Sequence, residues 1–570
     1  MQHEDCCDVV IVGGGPCGLM LAIELGRRGV RVFLVDAKDS TATNPQANAT
    51  QARTMEHYRR LGFAEEIRSL GLPPDFPTDI AYSTRFAGYE LARFHLPSAV
   101  EARKKVAGLT GSWSAAELPH RVSQKFVEPV LRSHAERLPS VSVNYGHRLI
   151  GFVDKGTHIE AEIERLEDGT VFRKTGQFIV GADGARSTVR KQLGIEYSGE
   201  RGSKRDFLGG QMLAIYLNCP AFYEKVGHAP AWMNVTFNQQ RRAFMAAVDG
   251  KGEFAFHTQL RPGEGTRFSH ADLLHRFHMA VGVEVDAEIL SHGTWLAGAA
   301  LVADRFRSGN VFLAGDAVHL FTTTGGLGYN TAVDDAVNLG WKLAGAVNGT
   351  LGPAVLDSYE IERRPLAVRN TTIAGQFADS IGNFLPVAEI EEASPAGEAA
   401  RVHAGNYLLA HAKAEFNIPG VTFGARYDGS PVIFADGTSP PPDKPNQYVP
   451  TATPGGRAPH MWLAGAGQSL YDIFGFDWTL LRLGTAPADV EPFRSTAATM
   501  GINLEIVDVP VVEARDLYSA DLALIRPDQV VAWRGRSAVE ASAVLSQVCG
   551  RSGANSPLPN EYRPTVLAQR

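Results

Sequence analysis

The hydrophobic pattern near the N-terminus is a short β-branched run followed by a glycine-rich turn. Residues 8–12 read Asp-Val-Val-Ile-Val, which is typical of a buried parallel strand, and the sequence GGGPCG follows directly. Residues 19–28 have the composition of a helix, and residues 30–35 read as a second buried strand that ends at Asp36. The pattern therefore predicts a βαβ unit.

The glycine spacing in this unit matches a dinucleotide-binding fingerprint. Gly13 permits the tight turn, Gly15 lets a pyrophosphate approach the backbone, and Gly18 lets the helix pack closely on the strand. The acid at the end of the second strand is placed to accept hydrogen bonds from a ribose. The predicted dinucleotide contacts are Gly13, Gly14, Gly15, Pro16, Gly18 and Asp36.

Two later segments repeat the change from a strand to a glycine-rich turn. Residues 178–180 lead into GADGARSTVR, and residues 310–314 lead into GDAVHLFTTTGGLG, which precedes an amphipathic helix over residues 330–347. Alternating polar and apolar positions at 232–237 and 253–260 predict an antiparallel sheet that faces the cofactor, with one or two more strands within 76–96. The turns are expected to return to the first sheet.

The C-terminal third has a different pattern. A helical pattern continues to about residue 416, and residues 436–460 then hold seven prolines, which indicates a linker. Residues 461–548 read strand, helix, strand, helix, strand, strand, helix. This order predicts a small separate α/β domain.

Composition narrows the classes of function. The 570 residues predict about three to four structural units. The 55 basic residues are outnumbered by 62 acidic ones, and the net charge of −7 argues against nucleic-acid binding. The five cysteines form no C-x-x-C pair and have no metal-ligand spacing, and no apolar run is long enough to span a bilayer. We expect a reduced, cytoplasmic protein without a metal centre.

The three glycine-rich motifs occur in the order found in the flavoprotein aromatic hydroxylases. The chain resembles the single-component, class A FAD monooxygenases, and in particular their phenol hydroxylase-like branch. The resemblance implies an α/β fold in which a Rossmann-like FAD-binding domain (about 1–75, 113–195 and 296–390) is interleaved with a substrate-binding sheet domain (about 76–112 and 196–295), as in p-hydroxybenzoate hydroxylase. It also implies a connecting segment over 391–460 and, over 461–570, a thioredoxin-like domain, here without C-x-x-C.

The same resemblance implies an activity. NADPH or NADH would reduce bound FAD, and a flavin hydroperoxide would then hydroxylate a phenolic or other electron-rich small aromatic substrate. The resemblance further implies a homodimer. Two alternatives remain: a flavin-dependent reductase or dehydrogenase without oxygen insertion, and a flavin-binding structural or regulatory protein.

Further cofactor contacts follow from the resemblance. Asp316 in GDAVH would hold the ribityl chain, Asp183 would lie near the pyrophosphate and the nicotinamide coenzyme, and Gln124 would contact FAD. Arg53 matches an arginine near the cofactor, although a salt bridge explains it nearly as well. The remaining residues of the implied FAD site are Gln46, where many relatives have arginine, and Gly315, Gly326, Leu327, Gly328 and Asn330 around the start of the helix after GDAVH.

The chain departs from the family pattern at positions that affect catalysis. Asn48 replaces an aspartate that helps to deprotonate the phenol, and Thr323 replaces a proline whose carbonyl usually faces the substrate. His257, on the predicted sheet, is the leading candidate for a replacement base, because histidine titrates near neutrality. The alternatives are that His257 is only a sheet histidine and that the substrate is already ionised.

Overall fold

The structure is a computed structural model that describes residues 6–201, 205–261, 263–463, 467–486 and 488–551. The strands of the described residues are β1 Val9–Val12, β2 Val32–Asp36, β3 Ile80–Ser83, β4 Glu90–Phe94, β5 Val141–Tyr145, β6 His147–Asp154, β7 Ile159–Arg165, β8 Val171–Gly176, β9 Phe178–Gly181, β10 Tyr197–Arg201, β11 Gly210–Asn218, β12 Met233–Thr236, β13 Ala243–Ala247, β14 Glu253–Gln259, β15 Glu288–Ala297, β16 Ala299–Ala303, β17 Arg307–Ser308, β18 Val311–Leu313, β19 His319–Leu320, β20 Trp462–Leu463, β21 Gln468–Ser469, β22 Trp478–Leu483, β23 Leu504–Val509, β24 Leu522–Ile525 and β25 Val531–Gly535.

The α-helices connect and cover these strands. They are α1 Pro16–Gly26, α2 Ala52–Leu61, α3 Ala64–Arg68, α4 Ala99–Val106, α5 Gln124–Glu136, α6 Thr188–Gln192, α7 Phe222–Val226, α8 His270–Val281, α9 Leu327–Val347, α10 Ala354–Asn383, α11 Pro395–Phe416, α12 Pro419–Phe423, α13 Glu491–Met500, α14 Val512–Tyr518 and α15 Ala541–Val548. No helix of the described ranges is long and apolar enough to cross a membrane.

The first sheet is the predicted nucleotide-binding sheet. Its strand order is β17-β18-β9-β1-β2-β5, and every pair is parallel except β17 with β18. Its central strands are fully buried β-branched runs, as a sheet covered on both faces requires. Because β1, β9 and β18 are adjacent, the three glycine-rich turns that follow them meet at one edge. The predicted fold class is confirmed.

The second sheet has the order β15-β11-β14-β13-β12-β3-β4 and is antiparallel except where β12 pairs with β3. One face packs on helices, and on this face Phe256 makes an edge-to-face contact with Phe277 of α8. Side chains alternate along a strand, so His257 lies on the opposite face. The face with His257 lies toward the first domain, as the ion pair between Lys125 of α5 and Glu253 of β14 shows.

The helical pattern predicted to run to residue 416 is interrupted. Helix α10 continues through Pro365 and ends at Asn383, and α11 begins at Pro395, where the Ser394 side chain accepts a hydrogen bond from the N–H of Gly397. The antiparallel sheet β6-β7-β8 was not anticipated. The break lets α11 fold back beside β3 and β4, which brings its C-terminal end to the glycine turn before α9.

The C-terminal unit is a four-stranded sheet of order β23-β22-β24-β25 with α13, α14 and α15, in the order that the sequence predicts. Its cysteine, Cys549, is buried. A buried salt bridge between Arg526 and Glu362 joins this unit to α10. An edge-to-face contact between Trp478 and Trp341 joins it to α9.

Candidate active site

The turn between β1 and α1 packs so closely that a side chain cannot be added at two of its glycines. A Cβ at Gly13, whose φ is +113°, would lie 2.2 Å from the carbonyl oxygen of Ala182. A Cβ at Gly18 would lie 1.9 Å from the carbonyl oxygen of Gly13. At Gly15 a Cβ would meet no atom within 4 Å. The turn is therefore closely packed against the protein at Gly13 and Gly18, and it leaves open space at Gly15.

The N-terminus of α1 has the electrostatic character of an anion site. Gly15 is the N-cap residue and offers no side-chain cap, Pro16 follows it, and the first turn contains no acidic residue. The free amides and the helix dipole therefore favour a phosphate group. Asp36, half-buried at the end of β2, accepts a hydrogen bond from the N–H of Gly14 at 2.7 Å. The structure thus brings the predicted acid to the predicted turn.

Asp183 follows β9 at the same sheet edge. Its Oδ2 accepts hydrogen bonds from the N–H groups of Thr188 at 2.6 Å and Val189 at 3.3 Å. Its Oδ1 is buried and has no hydrogen-bond partner among the described residues. Burial raises the pKa of this carboxyl. A buried acceptor without a partner fits a ligand that donates a hydrogen bond.

Asp316 lies on the turn after β18, and buried charges behind it fix that turn. Asp335 Oδ2 accepts the N–H of Gly315 at 3.1 Å and lies 2.7 Å from His319 Nε2, while Arg363 Nε donates to Asp335 Oδ1 at 2.7 Å. Burial alone would raise the pKa of Asp335, but the charges of Arg363 and His319 lower it. These contacts hold the backbone and leave the Asp316 side chain exposed for a ligand.

The second glycine turn precedes α9. Gly325 and Gly326 have φ values of +70° and +62°, which favour glycine, and α9 begins at Leu327 without a side-chain cap or an acidic first turn. The N–H of Gly325 donates to Glu415 Oε1 at 2.9 Å, and the Gly325 carbonyl accepts from Gln51 Nε2 at 3.0 Å. The helix N-terminus is positive and can stabilise negative charge on a ligand.

Asn330 is assigned to the cofactor by resemblance, but its side chain is used within the protein. Its Oδ1 accepts from the N–H of Gln51 at 2.8 Å and from Thr54 Oγ1 at 2.7 Å. Its Nδ2 donates to the carbonyls of Ala49 at 3.0 Å and Gly326 at 2.7 Å. These four bonds complete the capacity of an amide. The side chain therefore positions the segment before α2 against α9.

The structure separates the other predicted FAD contacts. The N–H of Gln124 donates to the carbonyl of Ala47 at 2.7 Å, so the first residue of α5 lies beside the segment that carries Gln46. Gln46 itself is exposed. Gly328 packs next to Phe321, where a Cβ would make ordinary contact at 3.4 Å. Gly328 thus lies in the first turn of α9, whereas Gln46 and Gln124 lie near the start of α5.

Arg53 forms the salt bridge that the sequence left as an alternative. Its Nη1 donates to Glu56 Oε2 at 3.0 Å and to Gln529 Oε1 at 2.8 Å, and its Nη2 donates to the carbonyl of Asp528 at 2.7 Å. The side chain is buried. In the described structure the guanidinium therefore joins α2 to the C-terminal unit.

Asn48 and Thr323 occupy different environments. The Oδ1 of Asn48 is buried and makes no hydrogen bond within the described part of the chain, whereas Thr323 is exposed on the turn before Gly325. A neutral amide cannot take a proton from a phenol, and Asn48 therefore offers only an acceptor or donor.

His257 is held by two aromatic side chains. Its ring stacks on Phe244 at a centroid distance of 4.5 Å, and its Nδ1 accepts a hydrogen bond from Trp295 Nε1 at 3.2 Å. Since Nδ1 is the acceptor, the neutral ring carries its proton on Nε2 and can only donate from there. Burial lowers the pKa of His257 to about 4. With Nδ1 bonded to Trp295, the ring presents Nε2–H as a donor, and the role of His257 as a base stays a prediction.

Sequence reasoning missed several side chains near these turns. Glu415 bonds to the glycine turn although it lies on α11, far along the chain. Arg121 is buried against Trp232 three residues before Gln124. Asp335 bonds to the turn that carries Asp316. Trp295 donates a hydrogen bond to His257. No local pattern singles these residues out, since Arg121 itself lies in the mixed polar segment LPHRVSQK.

These features fit FAD. Two helix N-termini without acidic residues, a half-buried acid at the end of β2, a carboxylate with an unpartnered oxygen and an exposed carboxylate meet along one edge of a parallel sheet. Open α/β sheets bind dinucleotides at this edge. Asp36, Asp183 and Asp316 would contact its hydroxyl groups, and the two helix N-termini its negative charge.

Comparison with known proteins supports this interpretation. Residues 6–374 match the family model described as FAD binding domain, and residues 451–552 match the model described as aromatic-ring hydroxylase, C-terminal. The FAD-dependent monooxygenase apdD of Emericella nidulans is 30% identical, over 95% of this chain and 90% of its own. The 4-methyl-5-nitrocatechol 5-monooxygenase of Burkholderia sp. is 30% identical, over 93% of this chain and 94% of its own.

A solved structure is similar along nearly the whole chain. The rebeccamycin biosynthetic enzyme RebC, solved with reduced flavin, superposes with a TM-score of 0.85 and 31% sequence identity. The match covers 96% of this chain and 99% of that one. The interleaved arrangement of the two sheets and the C-terminal unit is therefore shared with a flavin-binding protein.

Proposed function

Because the chain belongs to the family of FAD-dependent aromatic-ring hydroxylases, we propose that it hydroxylates a phenol that is already ionised at neutral pH. The chain is an FAD-dependent aromatic monooxygenase that uses NAD(P)H as its reductant. In the overall reaction a ring C–H becomes C–OH, the second oxygen atom leaves as water, and NAD(P)H supplies two electrons.

The observation that carries the proposal is the hydrogen bond from Trp295 to His257. It leaves Nε2–H as a donor, and a donor stabilises a phenolate oxygen but cannot deprotonate a phenol. Asn48 supplies no base either, since its side chain is a neutral amide. The nitrocatechol monooxygenase of Burkholderia supports the proposal, because a nitro group makes a phenol acidic and that relative acts on such a ring.

Bound FAD supplies the redox chemistry, the transfer of electrons from NAD(P)H to oxygen. The residues of this chain do the remaining work. The N-termini of α1 and α9 stabilise negative charge, and the Asp316 carboxylate accepts hydrogen bonds from hydroxyl groups of the cofactor. The buried face of the second sheet excludes water, and His257 Nε2–H holds the phenolate oxygen in place.

We also propose how the chain is divided into domains and how it assembles. We infer an FAD-binding domain and a substrate domain interleaved up to about residue 390, a connecting segment, and a C-terminal domain from about residue 461. We further infer a homodimer that works in the cytoplasm and does not bind nucleic acid, in keeping with its net charge of −7. Light scattering of the purified holoenzyme tests the dimer.

The test uses a series of phenols of decreasing pKa in single-turnover reactions of the reduced holoenzyme. We expect the pH midpoint of the hydroxylation rate to follow the pKa of each phenol. His257→Leu should slow hydroxylation by roughly 10-fold to 100-fold, because leucine cannot donate a hydrogen bond to a charged oxygen, and should change flavin reduction much less.

The control is His292→Gln, which removes an exposed histidine from the neighbouring strand β15 and should leave both rates unchanged. If the pH midpoint instead stays constant across the phenol series and disappears in His257→Leu, His257 is a base. The ionised-substrate proposal would then be wrong.

A further inference from the structure

Arg121 is a buried arginine whose guanidinium makes no hydrogen bond or salt bridge to any described residue. Its exposed fraction is 9%, and its guanidinium lies 4.2 Å from the ring centroid of Trp232. Burying a charge without a hydrogen-bonded partner is unfavourable. The protein therefore retains at this position a charge that its own fold does not neutralise by contact.

Other deeply buried arginines of the chain show what a structural role looks like. Arg363 is paired with Asp335, Arg457 with Glu56, and Arg526 with Glu362, each at 2.7 Å or less. Each of these carboxylates is itself fully buried. Arg121 has no such carboxylate in contact, which sets it apart from this group.

The carboxylate that attracts Arg121 most strongly is already engaged elsewhere. Glu415 raises the pKa of Arg121, while burial lowers it to about 10. However, Glu415 Oε1 accepts the N–H of Gly325 at 2.9 Å, and its Oε2 lies 2.8 Å from His411 Nε2. Glu415 therefore moderates the charge of Arg121 but does not fill the donor positions of its guanidinium.

The position of Arg121 places it where the two domains meet. Its backbone neighbour His120 exchanges two hydrogen bonds with Thr50, in the segment that carries Asn48. On the other side Trp232 makes an edge-to-face contact with Phe416 at 6.3 Å. Phe416 follows Glu415, which bonds to the glycine turn before α9.

We propose that Arg121 binds a carboxylate of the aromatic substrate, an inference that rests on the proposed hydroxylation of an ionised phenol. A guanidinium presents a fork of donors that matches a carboxylate, and its stacking on an aromatic ring fixes the plane of that fork. The bound carboxylate supplies the ion pair that the fold does not.

The sheet also limits the size of this substrate. His257 lies on β14, Trp232 directly precedes β12, and β13 separates these strands. Phe244 lies opposite His257, and Val235 lies opposite Phe244. Trp232 is therefore displaced from His257 by two strand spacings, about 10 Å, and by a further three residues, about 10 Å, along the strand. A substrate that reaches both His257 and Arg121 therefore carries its phenol and its acid at opposite ends of more than one ring.

The binding test compares a nitro-substituted hydroxynaphthoic acid with its methyl ester on the holoenzyme, and the change in flavin absorbance reports binding. Wild type should bind the acid roughly 10-fold to 100-fold more tightly than the ester. Arg121→Met should lose this preference and bind the ester within about 2-fold of wild type, while Arg121→Lys should keep part of the preference.

The control Arg267→Met removes one positive charge from an exposed position and should keep the preference. A preference for the acid that survives in Arg121→Met would overturn the proposal. So would equal binding of acid and ester by wild type, even if both compounds are hydroxylated.

A thermal measurement needs no aromatic ligand and therefore tests Arg121 independently of the ionised-phenol proposal. Arg121→Met should melt at the same temperature as the wild-type holoenzyme or above it, because an unpaired buried charge is removed. Arg363→Met, which leaves Asp335 without its partner, should melt lower. If Arg121→Met is destabilised as much as Arg363→Met, Arg121 is a structural residue and the proposal fails.

Discussion

The cofactor half and the substrate half of the active site use polar groups in different ways. Around the glycine turns the ligand-facing groups are main-chain amides and three carboxylates, and buried side chains such as Asp335 and Asn330 are bonded behind them. On the substrate side, the Oδ1 of Asn48 has no hydrogen-bond partner among the described residues, and the guanidinium of Arg121 contacts the Trp232 ring. A cofactor of fixed shape can be held by a fixed backbone and by acids at the ends of strands, whereas a particular substrate is selected by side chains such as Arg121.

The largest expected effect is on the cofactor half. Gly18→Ala places a Cβ 1.9 Å from the carbonyl oxygen of Gly13, and the backbone can relieve this contact only by opening the turn. We expect FAD affinity to fall by roughly 100-fold. The ratio of FAD to protein after gel filtration, followed by titration with FAD, measures the loss.

Gly375→Ala is the matched control for that variant. Gly375 lies in α10, where an added Cβ would meet no atom within 4 Å. Alanine should stabilise this helix by about 1 kcal/mol and leave FAD content unchanged. Equal FAD affinity of Gly18→Ala and wild type would contradict the claim that FAD binding requires the close packing of the first glycine turn.

The next effect concerns the buried charges behind Asp316. Asp335→Asn leaves Arg363 buried without its anionic partner, and we expect a loss of about 3–5 kcal/mol in the free energy of unfolding. Asp334→Asn is the control. The Asp334 side chain is 25% exposed and, among the described residues, pairs with the His57 ring at 3.2 Å. Loss of the Asp334 charge should lower the free energy of unfolding by about 1 kcal/mol or less. Denaturant unfolding of both variants measures the two losses. Equal losses would show that the buried contacts of Asp335 are not required for stability.

The pH dependence of stability sharpens the same comparison. The folded pKa of Asp335 is lowered, so its contribution is present above the ordinary carboxyl pKa of about 4 and is lost as the pH falls below that value. Asp335→Asn should therefore lose less stability than wild type on acidification through this range. An identical acid dependence of the two proteins would contradict the assigned role.

The smallest expected effect is on the substrate half. Trp295→Phe removes the N–H that fixes the tautomer of His257 but keeps an aromatic ring beside it. We expect hydroxylation to slow by roughly 5-fold, the value of one hydrogen bond, with no change in FAD content. A rate equal to that of wild type would show that the tautomer of His257 does not matter.

The sequence predicted the geometry of the first glycine turn well, because its signals are local. The glycine spacing around Gly13 and Gly18 and the acid at Asp36 follow from the geometry of a βαβ unit, and the strand order of the C-terminal unit follows from short-range patterns. The helix break after Asn383 was missed although Pro386 and Pro395 mark it, because the segments on both sides of it have helical composition.

The substrate half could not be predicted in the same way. Glu415 reaches the Gly325 turn only because α11 folds back, and this contact leaves no periodic signal in the sequence. The hydrogen bond from Trp295 leaves His257 with a donor at Nε2, although the two residues lie on strands separated by β11. Such contacts depend on tertiary packing, so residue type alone does not indicate which ring nitrogen of a histidine is available.

The most direct test of the central claim is the fate of oxygen. The purified holoenzyme would be supplied with NAD(P)H, a carboxylated acidic phenol and isotopically heavy dioxygen, and the products would be analysed by mass spectrometry. We expect one heavy oxygen atom in the hydroxylated ring, and none when the label is in water instead. Consumption of NAD(P)H with an unchanged ring and all heavy oxygen in hydrogen peroxide, across a panel of such phenols, would contradict the account.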